Sequence, residues 1–343
     1  MRFPPPGIVL LCLSFSAGSA LAADAGDWLV KMGTAARQSN YEGVLVYRGE
    51  DILETFRVTH RFANGSERER VQSLTGEVRE VLQQNDQLTC ILPEDGALTR
   101  NRPTPQTLFP SMRPEDVATL EQVYAFKELG DARVAGRNSR GIFISPRDAF
   151  RYGYEIWGDV ETALPLKVSL VAAEGQVLEQ MFFTEVEFPQ QTPDSAFSSE
   201  LNAEDVQHAS ATAASAIADA HEREPVLEQA QSEASKVTDL PPGYRLVKRQ
   251  VRKLPGDRGA VEHLVFSDGL TAVSVFRSAS PPVAVPEDNA QQRVNQIAAI
   301  NAYSRRSGHI RITVVGEAPK RTVRMIGDNF ARQPLLEETS SPH

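Results

Sequence analysis

"VTHRFANGSERERVQSL", residues 58–74, places two alternating segments on either side of Asn64-Gly65. Asn-Gly in that setting predicts a two-residue hairpin turn, because such turns need positive φ at both central positions. The incoming strand, Ile52 to Phe62, sets Ile52, Phe56, Val58 and Phe62 on one face and Thr55, Arg57, Thr59 and Arg61 on the other. At about 3.3 Å per residue it extends roughly 36 Å, and strands of that length twist and coil. Their concave face then needs a cover. His60 falls on the apolar face and reads as a hydrogen-bonded core residue, not a ligand, with no second His or carboxylate cluster expected beside it.

The same device repeats outward. Tyr41 to Arg48, Glu67 to Leu74, Val78 to Gln84 and Leu88 to Leu92 read as further strands of an antiparallel meander. Upstream, Asp24 or Asp27 caps a predicted helix whose Trp28, Met32, Ala35 and Ala36 share one stripe. Downstream, a Pro-rich excursion over 98–112 leads to a short helix, Pro114 to Leu120, with Glu115 and Asp116 in its first turn. Strands follow at Val123 to Glu128, Ala132 to Arg137, Gly141 to Ser145, Tyr152 to Trp157, Pro165 to Val171 and Val177 to Phe188. About eleven strands before residue 190 are too many for a flat open sheet.

Composition shifts to Ala, Ser, Glu and Asp over 200–236, which reads as a linker. A second domain starts near Pro241-Pro242-Gly243, with strands Tyr244 to Arg252, Ala260 to Ser267, Thr271 to Ser278 and His309 to Val315. Helices are expected at about Glu287 to Arg305 and Pro319 to Phe330. The organisation is therefore a signal segment, 1–22; a first domain, 23–199; the linker; a second domain, 237–332; and a tail, 333–343. The signal reading rests on Arg2, the apolar run Ile8 to Phe15 and Ala20-Leu21-Ala22, and it implies export and a soluble mature protein. Cys90 is then the only mature thiol and reads as a small buried hydrophobe. Charge divides unevenly: residues 237–343 carry 15 basic and 10 acidic residues, net +5, whereas 23–236 carry 20 against 35, net −15. Two surfaces with different partners are expected.

No nucleophile elbow, zincin helix, C-x-x-C, dinucleotide loop or Walker loop is present, and the six histidines are scattered. The reading is of no enzyme, no catalytic residues, no metal and no cofactor. Arg245, Lys248, Arg249, Arg252 and Lys253 lie along one strand region, and Arg305, Arg306 and Arg311 flank another junction. These form a candidate partner surface for carboxylates or phosphates. Nucleic acid does not suit an exported acidic chain without interleaved aromatics.

"WGDVETALPLKVSL", residues 157–170, resembles the pattern of periplasmic lipoprotein carriers of the LolA/LolB kind through Trp157, Asp159, Thr162, Leu164, Pro165 and Lys167. That resemblance implies a half-open antiparallel β-barrel with a helical lid. Longer stretches, "YEGVLVY" (41–47), "LPPGYRL" (240–246), "HLVFSDGLTAVSVF" (263–276) and "NAYSRRSGHIRITVVGEAP" (301–319), with residues 58–81, Cys90 and Pro93, resemble the MucB/RseB family of periplasmic sigma-E regulators. The fold expected is mainly β with α: the half-barrel sensor domain plus a smaller C-terminal α+β domain with an antiparallel sheet. The function implied is binding the periplasmic segment of a membrane anti-sigma factor (RseA/MucA-like), shielding it from proteolysis, with release by lipid or lipopolysaccharide. The alternative is a periplasmic lipid or lipoprotein carrier. Val44, Val46, Ile52, Phe56, Val58, Phe62, Leu82, Leu88 and Phe182 are the expected cavity lining for an acyl chain or apolar peptide. Oligomeric state is left open.

Overall fold

The structure, a computed structural model, describes residues 18–76, 79–84, 87–91, 112–199, 240–253, 260–279, 293–297 and 299–330. The expected linker and tail lie outside these residues, as do residues 1–17 of the expected signal segment 1–22 and nearly all of the Pro-rich excursion.

The first domain is one ten-stranded antiparallel sheet of two meanders. Helix α1 (Gly18–Gln38) leads into β1 (Tyr41–Arg48), β2 (Leu53–Ala63), β3 (Ser66–Ser73), β4 (Glu80–Gln84) and β5 (Gln87–Ile91). After α2 (Pro114–Leu120) come β6 (Tyr124–Val134), β7 (Arg137–Pro146), β8 (Gly153–Asp159), β9 (Pro165–Val171) and β10 (Val177–Glu187). The order is β5-β4-β3-β2-β1-β10-β9-β8-β7-β6, so the last strand joins the two meanders. The Asn64-Gly65 turn forms as predicted, with φ of 54° and 75°. The expected break at Leu129 to Asp131 is instead a bulge between Glu128 and Gly130 in one long strand, and the turn falls at Ala135-Gly136. Gly130, at φ 81°, bends β6 without ending its pairing, which merges two expected strands into one.

Ala25, Trp28, Leu29, Met32 and Ala36 of α1 are buried in a core with Ile142, Ile144, Tyr154, Ile156 and Leu170. Met112 packs into the same core against the helix at Gly33, where an added β-carbon would stand 2.8 Å from its side chain. The helix thus covers the inner face of β6–β9, as the apolar stripe implied. A second cluster, Tyr41, Leu45, Val58, Leu164, Leu166 and Phe183, continues that face over β1 and β2.

The second domain is a six-stranded antiparallel sheet of order β11-β12-β13-β16-β15-β14. Its strands are β11 (Arg245–Lys253), β12 (Ala260–Ser267), β13 (Ala272–Ala279), β14 (Arg293–Ile297), β15 (Ile300–Ser307) and β16 (Ile310–Gly316). Helix α3 (Lys320–Phe330) packs Val323, Ile326 and Phe330 on Tyr303, Ile312 and Val314. Residues 287–292 of the helix expected over Glu287 to Arg305 lie outside the described residues; the described remainder forms the β14–β15 hairpin instead, in which Val294 pairs with Tyr303 and Ile297 with Ile300. Ile300 to Ser307 alternates, with Asn301 and Tyr303 buried, and that period-2 pattern overrides the helix-forming composition before it.

Candidate binding surfaces

Strand pairing sorts the expected cavity residues onto two faces. Phe56 opposes Leu45 and Val58 opposes Gly43, on the α1 side. Val44 and Val46 alternate with these, and Val46 pairs with Phe182 on the outer side. Leu82 pairs with Arg70, and Arg70 with Thr59, so Leu82 also belongs to the outer face. Ile52 precedes β2 and is 42% exposed. The nine residues therefore do not line one cavity: because a strand alternates at every residue and cross-strand partners share a face, Val44 and Val46 of β1 cannot share a face with Phe56, Val58 and Phe62 of β2. Leu88 pairs with Gln83 in β5. The inner apolar strip that is only partly covered is instead Phe56, Val71 and Met181, packed around the buried Val58, with Phe62 beyond His60 on the same face of β2.

The charged hairpin splits in the same way. Arg61, Arg68 and Arg70 face outward and hold a strap at Asp194–Phe197: Arg61 and Arg68 bond Asp194 at 2.6 and 2.9 Å, and Arg61 stacks on Phe197. Glu67 and Glu69 face inward and are buried. His60, fully buried, stacks on Tyr41 with centroids 4.7 Å apart and donates from Nδ1 to the Ser39 carbonyl at 2.7 Å. Its Nε2 lies 3.3 Å from Glu67 Oε1, and Tyr41 donates to Glu69 at 3.4 Å. Burial, reinforced by Glu67, raises the Glu69 carboxyl above its ordinary range. His60 is a satisfied core residue as expected, but the carboxylate pair beside it corrects the expectation of none: hairpin pairing sets His60 opposite Glu69.

The carrier-like motif is a turn. Asp159, 1% exposed, accepts from Thr162 N at 3.2 Å and Thr162 Oγ1 at 2.6 Å, and pairs with Arg137 at 3.0 Å. Ala163 sits at φ 60°, and the chain enters β9 at Pro165. Trp157 and Lys167 pair on the outer face, and both bond Glu155, at 2.5 and 3.2 Å. With Phe182 and the β6–β7 turn they line an open groove of about 510 Å³.

The basic residues also divide. Arg249 pairs with Glu262 at 3.0 Å, Arg277 joins at 2.8 Å, and Arg305 bonds Asp328 of α3 at 2.6 Å, all on the α3 side. They belong to ion pairs inside the fold and do not form the expected surface with the others. Lys248, Arg306 and Arg311 alternate to the opposite face, where Arg306 and Arg311 are cross-strand neighbours. Arg245 is exposed; Arg252 pairs with Val261 and Lys253 with Ala260 on the edge strand β11. On this open face His263 stacks on Phe276 at 4.4 Å.

Sequence reading missed the seam between the domains. Arg151, with a fully buried side chain, lies between Tyr124 and Tyr244, its guanidinium 5.4 and 5.3 Å from the ring centroids. It pairs with Asp148 at 3.2 Å and with buried Asp268 at 3.4 Å, and donates to the Pro242 carbonyl. Tyr124 donates to Asp268 at 2.9 Å, and Tyr154 meets Thr271 at 3.3 Å. Tyr152 accepts from Asn301 at 3.0 Å. The Ala299 amide donates to Glu179 at 3.0 Å, and Ala299 is buried in the first domain's core. Beside this seam, burial and the Glu179 carboxylate, with a further push from Glu317, raise the Tyr47 phenol well above its ordinary value. The sole hint was an Arg inside the turn "RDAFRYGY", where nothing in the local pattern calls for one.

A half-open antiparallel sheet lidded by a helix and joined through a buried seam to a smaller sheet-and-helix domain defines a two-domain β-rich protein whose surfaces suit binding. Residues 24–201 match the MucB/RseB N-terminal domain and residues 229–331 the MucB/RseB C-terminal domain. The chain belongs to the MucB/RseB family. The sigma factor AlgU regulatory protein MucB of Pseudomonas aeruginosa is 30% identical over 311 residues, 89% of this chain and 90% of that protein. The sigma-E factor regulatory protein RseB of Escherichia coli K12 is 28% identical over 321 residues, 93% of this chain and 94% of that one. The crystal structure of MucB in complex with MucA(peri) superposes with a TM-score of 0.67 at 25% identity, covering 89% of this chain and 97% of that chain.

Proposed function

We propose that this protein is a non-enzymatic periplasmic regulator of a sigma-E-type stress response, which binds the periplasmic segment of a membrane anti-sigma factor and shields it from proteolysis. The observation that carries this reading is the likeness, over nearly the whole chain, to a MucB solved in complex with MucA(peri). The open face of the second sheet, with Lys248, Arg306 and Arg311, is the partner surface, since these cations stand apart from the ion pairs around Glu262 and Asp328. The inner strip of Phe56, Val71 and Met181 accepts a lipid acyl chain, at about 0.8 kcal/mol per buried methylene. Lipid releases the partner to the extent that it binds the partner-free form better.

Titrating the mature protein with the anti-sigma segment, with and without lipopolysaccharide or phospholipid vesicles, tests this. Tight binding that lipid weakens is expected; no peptide binding at any lipid level overturns it. Lys248→Glu with Arg311→Glu is expected to weaken peptide binding at least tenfold and flatten its salt dependence. Unchanged affinity removes that surface. The second reading, a lipid carrier, is favoured by the partly covered strip alone, and lipid uptake without peptide binding would select it.

A further inference from the structure

Three tyrosines belong to both domains at once. The rings of Tyr124, Tyr152 and Tyr154 are buried in the first domain's core beneath α1, in one cluster with Leu29, Met32 and Ile144. Their hydroxyls end on the second domain, at Asp268, Asn301 and Thr271 respectively. Each acceptor or donor they meet is itself tied into the second sheet. Asp268 accepts from the Leu270 and Thr271 amides at 3.0 and 2.8 Å, and Asn301 donates to the Ala318 carbonyl at 2.9 Å. Arg151 fills the space between, and the Phe150 carbonyl next to it accepts from Thr322 of α3 at 2.6 Å.

We propose that these three phenols, with Arg151 as their central pin, are a coupling clasp: the packing of the first core and the seating of the second domain are one cooperative unit. The reason is geometric. A ring held on both sides by core side chains has one position for its hydroxyl, so a shift of the α1-side core moves three second-domain contacts together. Burial holds all three hydroxyls protonated, chiefly by desolvation, so the links persist across the ordinary pH range. Breaking them singly leaves buried Asp268 or Asn301 short of a partner, which makes partial release unfavourable. A two-state element that both domains bias is what transmission between distant surfaces requires.

The chain offers a clean readout, because its two tryptophans, Trp28 and Trp157, both lie in the first domain. Tryptophan emission then follows the first domain in urea, and amide exchange of β12, β13 and β16 follows the second. In the unmodified mature chain both transitions are expected to coincide. In Tyr124→Phe/Tyr152→Phe/Tyr154→Phe, which keeps every ring, they are expected to separate by about 0.5 M urea or more. Tyr303→Phe serves as control, because its hydroxyl bonds Asp328 within the second domain. Coincident transitions in the triple variant, separate transitions in the unmodified chain, or equal separation in the control would overturn the clasp. Arg151→Met provides a second variant, also expected to separate the transitions.

Discussion

Asp159 concentrates more bonds on one carboxylate than any other residue of its turn, accepting twice from Thr162 and pairing with Arg137 while 1% exposed. Asp159→Ala leaves buried donors unmatched and is expected to cost about 2–4 kcal/mol in urea unfolding, whereas Asp159→Asn keeps an acceptor and costs about 1 kcal/mol. Glu69 makes the opposite case. Its folded pKa is raised by burial, so ionisation is disfavoured in the folded state, and stability falls as pH rises from the ordinary carboxylate value of 4.5 through the folded value. Glu69→Gln, which still accepts from Tyr41, is therefore expected to stabilise the protein at pH 7.5 and to give no gain near pH 3.5; denaturation midpoints at the two pH values check this. The motif residues around Asp159 were legible as a family pattern but not as a turn, because sequence spacing does not say which side chain bonds which amide.

At the scale of elements, the alternating strands were the most legible part. Tyr41 to Arg48 and Pro165 to Val171 match β1 and β9, and Pro114 to Leu120 matches α2. Where strands were misjudged, glycine and alanine were the reason: Gly130 bulges without ending β6, and Ala299 turns a hairpin while buried in the other domain's core. Apolar identity could not say which face Val44 or Phe182 takes, since only the partner register does. Helix α1 packs tightly on the sheet at Gly158, where an added β-carbon would stand 2.5 Å from Met32 Sδ and 3.3 Å from Trp28. Gly158→Val is expected to lift this end of the helix, cost about 1–3 kcal/mol and shift Trp28 emission to the red, measured with Trp157 replaced by Phe.

At the scale of the whole molecule, the split of charge between an acidic front and a basic back was legible, but the sorting of the basic residues was not. Arg249 and Arg305 are spent on Glu262 and Asp328, and only three-dimensional pairing separates them from Lys248 and Arg311. The seam was invisible because its residues, Tyr124, Arg151 and Asp268, are far apart in sequence and each is ordinary alone. The strand order carries one more consequence, for the way the chain assembles. β1 finds its second neighbour only in β10, about 140 residues later, with Glu42 opposite Glu187. A chain that emerges amino end first therefore holds two separate meanders, each with an open edge, until residue 187 is free to pair. Closure of that gap is the high-contact-order step, so it sets the folding time and marks the interval in which the edge of β1 is exposed to aggregation.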